Sequence, residues 1–340
     1  MKYKVGMYGG SFDPLHMGHL QVMIQAASEC EELYIVLSCS KTRDHVPREY
    51  RYRWIKNSLK HMPGIQIIFL EDTAESKEKY NQAHYWEEGA TFIKQQIGKK
   101  IDVVYCGSDY KGTNRYESLY QESEVVYVDR EEIPVSSTEI RNNPFGCWDY
   151  IPDIVKSYYT KKILLIGGES TGKSTLAQNL ALAFNTNFVE EMGREICEQA
   201  GTEDTMVAED LQKCLIYQKA EMWKKLEHSN KLLFVDTDAI ITKFFIQFLL
   251  EDGEERKKCE VMADAIAGVN EFDLIFFLEP TVAFVQDGTR NEKIMEDREK
   301  YSNQIKKLFD EAGYSYVDLN GNYKERFLEA REIIKKKFGV

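Results

Sequence analysis

The chain has 340 residues with 44 basic and 56 acidic side chains, a net charge of -12, and at roughly 100–200 residues per domain this length suggests two domains. Hydrophobic residues at 43% and charged residues at 29% exclude a collagen-like, disulfide-scaffold or mainly disordered chain. The acidic balance argues against nucleic acid as a partner, because non-specific affinity for it rests on clustered cations.

The longest apolar stretch, Phe244 to Leu250, is already broken by Gln247, far short of the about 20 apolar residues that span a bilayer. The start of the chain alternates with glycine and lacks the apolar core of a signal peptide. Seven cysteines, at 30, 39, 106, 147, 197, 214 and 259, are scattered and never spaced Cys-x-x-Cys. That pattern favours neither a zinc site nor a disulfide framework and points to a reducing cytoplasm.

In chain order, strands are expected at Tyr3–Tyr8, Glu32–Leu37, Ile65–Phe69, Ile101–Cys106 and Glu124–Val128, then at Lys162–Ile166, Phe188–Val189, Leu232–Asp236, Leu274–Leu278 and Tyr314–Asp318. Helix-length polar stretches separate them, which is the alternation of an α/β protein with two doubly wound parallel-sheet domains. The boundaries are set at 1–158 and 159–340. The join, from about residue 143, carries Phe145, Trp148, Tyr150, Ile151, Tyr158 and Tyr159, too apolar for a solvated linker, so a packed connector is expected.

The first strand runs into Gly9-Gly10-Ser11-Phe12-Asp13-Pro14-Leu15-His16-Met17-Gly18-His19, at the sheet end where parallel folds bind ligands. Glycines let backbone amides approach phosphate, and a helix N-terminus adds partial positive charge. His16 and His19, three apart, share a face if a helix begins there and can both donate to one polyphosphate, with Gly18 leaving room between them. The plainer alternative is a turn and a helix with two incidental histidines. Farther on, Ser136-Ser137-Thr138-Glu139-Ile140-Arg141 offers hydroxyls and a planar guanidinium to phosphate, or simply an N-cap. Gly107-Ser108-Asp109 follows the fourth strand and is also ordinary turn chemistry.

The second half opens on Gly167-Gly168-Glu169-Ser170-Thr171-Gly172-Lys173-Ser174, followed by Thr175. This fits the phosphate-binding P-loop pattern Gly-x4-Gly-Lys-[Ser/Thr], between a strand and a helix as the pattern requires. Lys173 is expected to reach the β- and γ-phosphates of ATP, and Ser174 to ligate Mg2+ with Asp236 at a strand end. Arg290 in Gln286-Asp287-Gly288-Thr289-Arg290, with Arg298 eight residues on, suits an arginine-bearing lid or a solvated charged helix. Glu190-Glu191-Met192-Gly193-Arg194-Glu195 follows the second strand, where a phosphate acceptor would sit.

The first loop and the Ser136–Arg141 segment resemble the two signatures of the nucleotidyltransferase superfamily, which implies a Rossmann-like nucleotidyltransferase domain with Asp109 contacting adenosine. Together with the P-loop, the chain resembles the bifunctional NadR-type family, a nicotinamide mononucleotide adenylyltransferase joined to a ribosylnicotinamide kinase. Asn143-Pro144-Phe145, Trp148 and Ile151-Pro152 match that family's connector, Gly193-Arg194-Glu195 its acceptor segment, Asp236-Thr237-Asp238 its acidic strand end, and Asp287-Gly288-x-Arg290 its lid. The resemblance implies two ATP-dependent steps, with nicotinamide riboside, the mononucleotide, ATP and NAD as small-molecule partners. It assigns catalysis to His16, His19, Arg141, Lys173, Asp236 and Arg290. Glu190, Glu191, Arg194 and Asp238 are expected at the riboside, and Trp86 on the nicotinamide ring or in the core. Glu190 stands where the family commonly has an aromatic residue, so a carboxylate would face the pyridinium instead. With Tyr3 already in a strand, no helix-turn-helix and no DNA-binding role are expected; a homo-oligomer is compatible with the sequence. The rival readings are a sulfate-activating enzyme, which also joins an adenylyl-transfer fold to a P-loop kinase, and a non-catalytic nucleotide sensor.

Overall fold

The computed structural model describes residues 1–129, 133–286 and 291–340. The chain divides into two compact units, Met1–Val155 and Lys156–Val340, slightly earlier than the boundary at 158 expected from sequence.

The first unit runs β1 (Tyr3–Gly10), α1 (Met17–Glu29), β2 (Cys30–Ser40), α2 (Arg48–Ser58), β3 (Ile65–Asp72), α3 (Lys77–Tyr80), α4 (Ala83–Ile97), β4 (Val103–Gly107), α5 (Arg115–Leu119), β5 (Glu124–Val128), α6 (Ser137–Asn142) and α7 (Asp153–Tyr159), in which the division falls. Its five strands are ordered β3-β2-β1-β4-β5, all parallel. The order reverses direction at β1, which puts the end of β1 at the crevice such folds use for ligands. One core layer sets Val5, Met7, Tyr34, Val36 and Val104 of the strands against Ala90, Ile93 and Ile97 of α4. In the connector Phe145, Trp148, Ile151 and Val155 are buried.

The second unit runs β6 (Lys161–Gly167), α8 (Lys173–Ala183), β7 (Asn187–Val189), α9 (Met192–Ala200), α10 (Ala208–Leu226), β8 (Leu232–Asp236), α11 (Ala239–Leu249), α12 (Glu254–Gly268), β9 (Leu274–Leu278), α13 (Glu292–Glu296), α14 (Arg298–Glu311), β10 (Val317–Leu319) and α15 (Tyr323–Phe338). Strand order is β10-β9-β6-β8-β7, again all parallel. Every residue of β8 and β9 is buried, which is why they read as unbroken apolar runs rather than alternating ones. The last strand is shorter and later than the expected Tyr314–Asp318. Gly313 (φ +77°) turns the chain out of α14, and Tyr314 N donates back to Phe309 O at 3.0 Å, so Tyr314 closes the helix instead of opening the strand.

Among the described residues, no helix is long and apolar enough to cross a membrane.

Candidate active site

In the first unit His16 is the N-cap of α1, in extended conformation (φ -139°, ψ 170°). This turns the helix N-terminus toward the loop after β1 and places His16 and His19 on one face. Their rings stack at 3.6 Å between centroids, 26° from parallel, and Phe12 meets His19 edge-on at 5.0 Å. Both histidines are buried. A side chain on Gly18 would begin 3.2 Å from the His16 ring, so the glycine lets the two imidazoles share so little space.

The Ser136–Arg141 segment meets this loop. Ser136 caps α6 in a reciprocal capping box with Glu139, so its hydroxyl and the Glu139 carboxylate satisfy each other's end of the helix. Ser137 Oγ donates to Pro14 O at 3.0 Å. Arg141 donates to Asp13 O and, at 3.0 Å, to Thr138 Oγ1. The two signatures, more than 120 residues apart, are therefore stitched together by main-chain acceptors at Asp13 and Pro14. Arg51 of α2, fully buried, donates to Ser11 O at 2.7 Å and to Ser38 O at 3.1 Å, and pairs with Asp44. Sequence reasoning missed it, because one arginine in Arg48-Glu49-Tyr50-Arg51-Tyr52-Arg53 looks like the next. Asp109 is exposed in a short 3-10 turn after β4. Trp86 packs among Tyr80, Tyr110 and Tyr116, its Nε1 donates to Tyr80 O at 2.8 Å, and the Arg115 guanidinium lies 4.4 Å from its ring centroid. A concavity of about 720 Å3 beside the loop includes Lys41, Thr42, His45, Arg48 and Arg51.

In the second unit a cavity of about 330 Å3 is lined by Gly167, Gly168, Glu169, Ser170, Gly172, Lys173, Ser174 and Thr175 of the P-loop and by Glu191, Gly193 and Arg194. Gly167 has φ +146°, and a Cβ there would stand 2.6 Å from Leu278 O; only glycine fits the departure from β6. Lys173 Nζ folds back onto Gly168 O at 3.0 Å, and Thr171 Oγ1 donates to the same carbonyl at 2.9 Å. The loop is gripped from behind by two arginines. Arg326 of α15, buried, donates to Thr171 O at 2.5 Å and to Glu279 O. Arg298 donates to Ser170 O at 3.3 Å and to Val282 O at 2.8 Å, so it braces the loop. Arg290, with the rest of 287–290, lies outside the described residues.

Asp236 and Asp238 flank the end of β8 and are both buried. Burial, with the Glu191 charge beside it, pushes the Asp236 carboxyl up to about 6, against Lys173 and the Ser174 and Thr237 hydroxyls. Burial pushes Asp238 to about 7, although its Oδ1 caps α11 by accepting from Ile240 N at 3.0 Å; Asp238 does not line the cavity. Glu190 is exposed and is also absent from the lining. Sequence reasoning missed Glu203, which lines the cavity and shares a hydrogen bond with Glu169. Burial and the Glu169 charge push it up to about 9. It missed Gln218 as well, buried on α10: Nε2 donates to Asp236 O (2.9 Å) and Thr237 O (3.2 Å), while Oε1 accepts from Met192 N (2.9 Å). One amide thus ties the acceptor segment to the acidic strand end. A polar residue inside the apolar stripe Leu211, Leu215, Met222 was the available signal. The far wall is apolar and equally unforeseen: Met206, Leu211, Phe244, Phe245, Leu249 and Tyr301.

The donor set suits magnesium. Asp236 Oδ2 is buried without a hydrogen-bond partner, and Ser174 interacts with the same carboxylate. Among the described residues no group of three or more His, Cys, Asp or Glu side chains could hold a metal outright. A hard cation that keeps several waters and takes its other ligands from phosphate fits such a sparse oxygen set.

Residues 7–143 match the cytidylyltransferase-like family model and residues 162–326 the AAA domain model. The trifunctional NAD biosynthesis/regulator protein NadR of Escherichia coli is 29% identical over 355 residues, covering 99% of this chain and 84% of that protein. The chain resembles NadR proteins along nearly its whole length. A crystal structure of a NadR protein in complex with NR superimposes with a TM-score of 0.84 at 24% identity, over 100% of this chain and 97% of the other. A NadR structure in complex with NAD and AMP-PNP gives 0.81 at 23% identity, over 99% and 96%. The NadR fold is thus shared along the whole chain, with both strand–loop–helix openings in place.

Proposed function

We propose that the chain carries out two consecutive ATP-dependent reactions of NAD formation. In the second unit the 5'-hydroxyl of nicotinamide riboside attacks the γ-phosphate of ATP, giving the mononucleotide and ADP. In the first unit the mononucleotide phosphate attacks the α-phosphate of a second ATP, giving NAD and pyrophosphate. What supports the reading is a glycine-bearing loop that leads from a strand into a helix after β1 and again after β6, in a chain aligned with NadR over 99% of its length.

Both reactions gain chiefly from positioning and from positive charge at the transferring group. In the kinase unit the P-loop amides cradle the phosphates and Lys173 leaves Gly168 O to reach the β- and γ-oxygens. Ser174 and Asp236 would hold Mg2+, which would neutralise charge on those oxygens. The riboside fits the same cavity: Phe244, Phe245 and Tyr301 offer flat apolar surface to the pyridinium ring, and Glu169 and Glu191 offer negative charge to its cation, with Glu203 protonated beside Glu169. Glu191 and Arg194 face the ribose, while the exposed Glu190 takes part only if the segment shifts. In the adenylyltransferase unit His16, His19 and Arg141 donate to the polyphosphate. Gly9, Gly10, Ser11, Phe12, Gly18, Ser136, Ser137 and Thr138 shape its seat.

The test is NAD formation from nicotinamide riboside and ATP with Mg2+, scored beside riboside phosphorylation and mononucleotide-dependent pyrophosphate release. All three activities are expected. A folded protein that produced none of them, or that consumed ATP only with sulfate, would overturn the proposal.

A further inference from the structure

Asp13 belongs to none of the groups assigned above, yet three segments of the first unit meet on it. Its side chain is 5% exposed. Oδ1 accepts from Val46 N at 2.8 Å, and Oδ2 accepts from His45 N at 3.1 Å and stands 3.1 Å from His45 Nδ1. The Arg141 guanidinium lies 3.6 Å from Oδ2 and donates to the main-chain oxygen of the same residue. One buried carboxylate therefore joins the loop after β1, the loop after β2 and helix α6. His45 is 61% exposed and lines a concavity together with Lys41 and Arg48.

We propose that Asp13 is a positioning residue for adenylyl transfer, fixing Arg141 and the His45-bearing loop in one arrangement so that the guanidinium meets the polyphosphate without having to be ordered first. The inference rests on the role given to Arg141 above. Its physical basis is that a guanidinium has many rotamers, and a catalytic donor contributes most when its orientation is fixed before the reaction. Thr138 Oγ1 and Asp13 O fix two of its N–H groups. The carboxylate supplies the charge that keeps the cation there and the acceptors that hold the β2 loop against it. An uncharged amide of the same shape cannot do both, because its NH2 would confront either the His45 or the Val46 amide.

A double-mutant cycle tests this, using steady-state and single-turnover pyrophosphate release from the full-length protein with the mononucleotide and ATP. Riboside phosphorylation by the same sample serves as an internal check on the protein. Asp13→Asn is expected to lower kcat about a hundredfold in the otherwise unaltered chain, with KM for ATP changed less than about threefold. In the Arg141→Ala background the same substitution is expected to cost less than about threefold, since positioning a group that is absent gains nothing. Equal losses in both backgrounds would show a general structural role and overturn the inference while leaving the role of Arg141 standing. An Arg141→Ala protein as fast as the parent would overturn that role, and the inference with it. If Asp13→Asn fails to fold, judged by its unfolding transition, Asp13→Glu carries the same cycle, because one extra methylene moves the carboxylate off all three segments without removing its charge.

Discussion

Asp236 offers the sharpest quantitative test of the kinase site, because what the carboxylate costs the fold and what it does for the reaction pull in opposite directions. Its side chain is almost fully buried, and burial with the Glu191 charge raises it to about 6 from the 3.8 of an exposed aspartate. That gap corresponds to ~3 kcal/mol of folding free energy. Below about pH 4 the carboxyl is protonated in the folded and unfolded chain alike, and the fold carries no penalty. Between about pH 4 and 6 the unfolded chain ionises first and stability falls. Above about pH 6 the whole penalty is present. Asp236→Asn, neutral at every pH, should therefore match the parent near pH 4 and exceed it by up to ~3 kcal/mol at pH 7.5. Urea unfolding with a metal chelator, repeated across that range, measures the difference. The same variant should lose riboside phosphorylation by about a hundredfold or more, as the metal's water shell loses its anchor. A variant no more stable than the parent at pH 7.5, or a gap that does not change with pH, would refute the reasoning.

The two activities should also separate. Lys173→Ala is expected to lower riboside phosphorylation by about a hundredfold to a thousandfold and to leave adenylyl transfer intact, and His19→Ala the reverse; loss of both activities from either folded variant would disprove the division of labour. Gly167→Ala should weaken the kinase unit twice over, since its φ of +146° suits no side chain and the new Cβ would meet Leu278 O at 2.6 Å. A destabilisation of about 1–3 kcal/mol in urea unfolding and a raised KM for ATP are the expected readings.

Much of the architecture was legible because each unit announces itself with a short apolar strand, a glycine loop and a helix. Glu124–Val128, Leu232–Asp236 and Leu274–Leu278 were located to the residue; the last two are wholly buried, and buried parallel strands leave compact β-branched and aromatic runs. Tyr314 was misplaced because an aromatic after a glycine serves a helix end as readily as a strand. The glycine-bearing loops after β1 and β6 were readable because backbone geometry dictates glycines there. The walls of the kinase cavity were not: Phe244, Phe245 and Tyr301 obey the same helical periodicity as core residues, so nothing in their spacing separates lining a cavity from filling a core. Gln218 and Glu203 depend on which loops come together in space. Arg326 was invisible for the same reason, since an arginine in a charged terminal helix gives no hint of a carbonyl 155 positions earlier.

That last contact has a consequence for how the chain comes to life on the ribosome. Residues 1–155 form a contiguous compact unit, and every group assigned to adenylyl transfer has been synthesised by Arg141. The phosphate loop of the kinase is also made early, but the side chain that clasps Thr171 belongs to the helix beginning at Tyr323. Until that helix has emerged, Thr171 O and Glu279 O lack their guanidinium donor and the loop lacks its outer brace. Chains cut short before Arg326 should therefore be unequal products, able to join nucleotides but poor at phosphorylating a riboside, and the order of the two sites along the polypeptide makes the later reaction of the pathway the first one the nascent protein is equipped to perform.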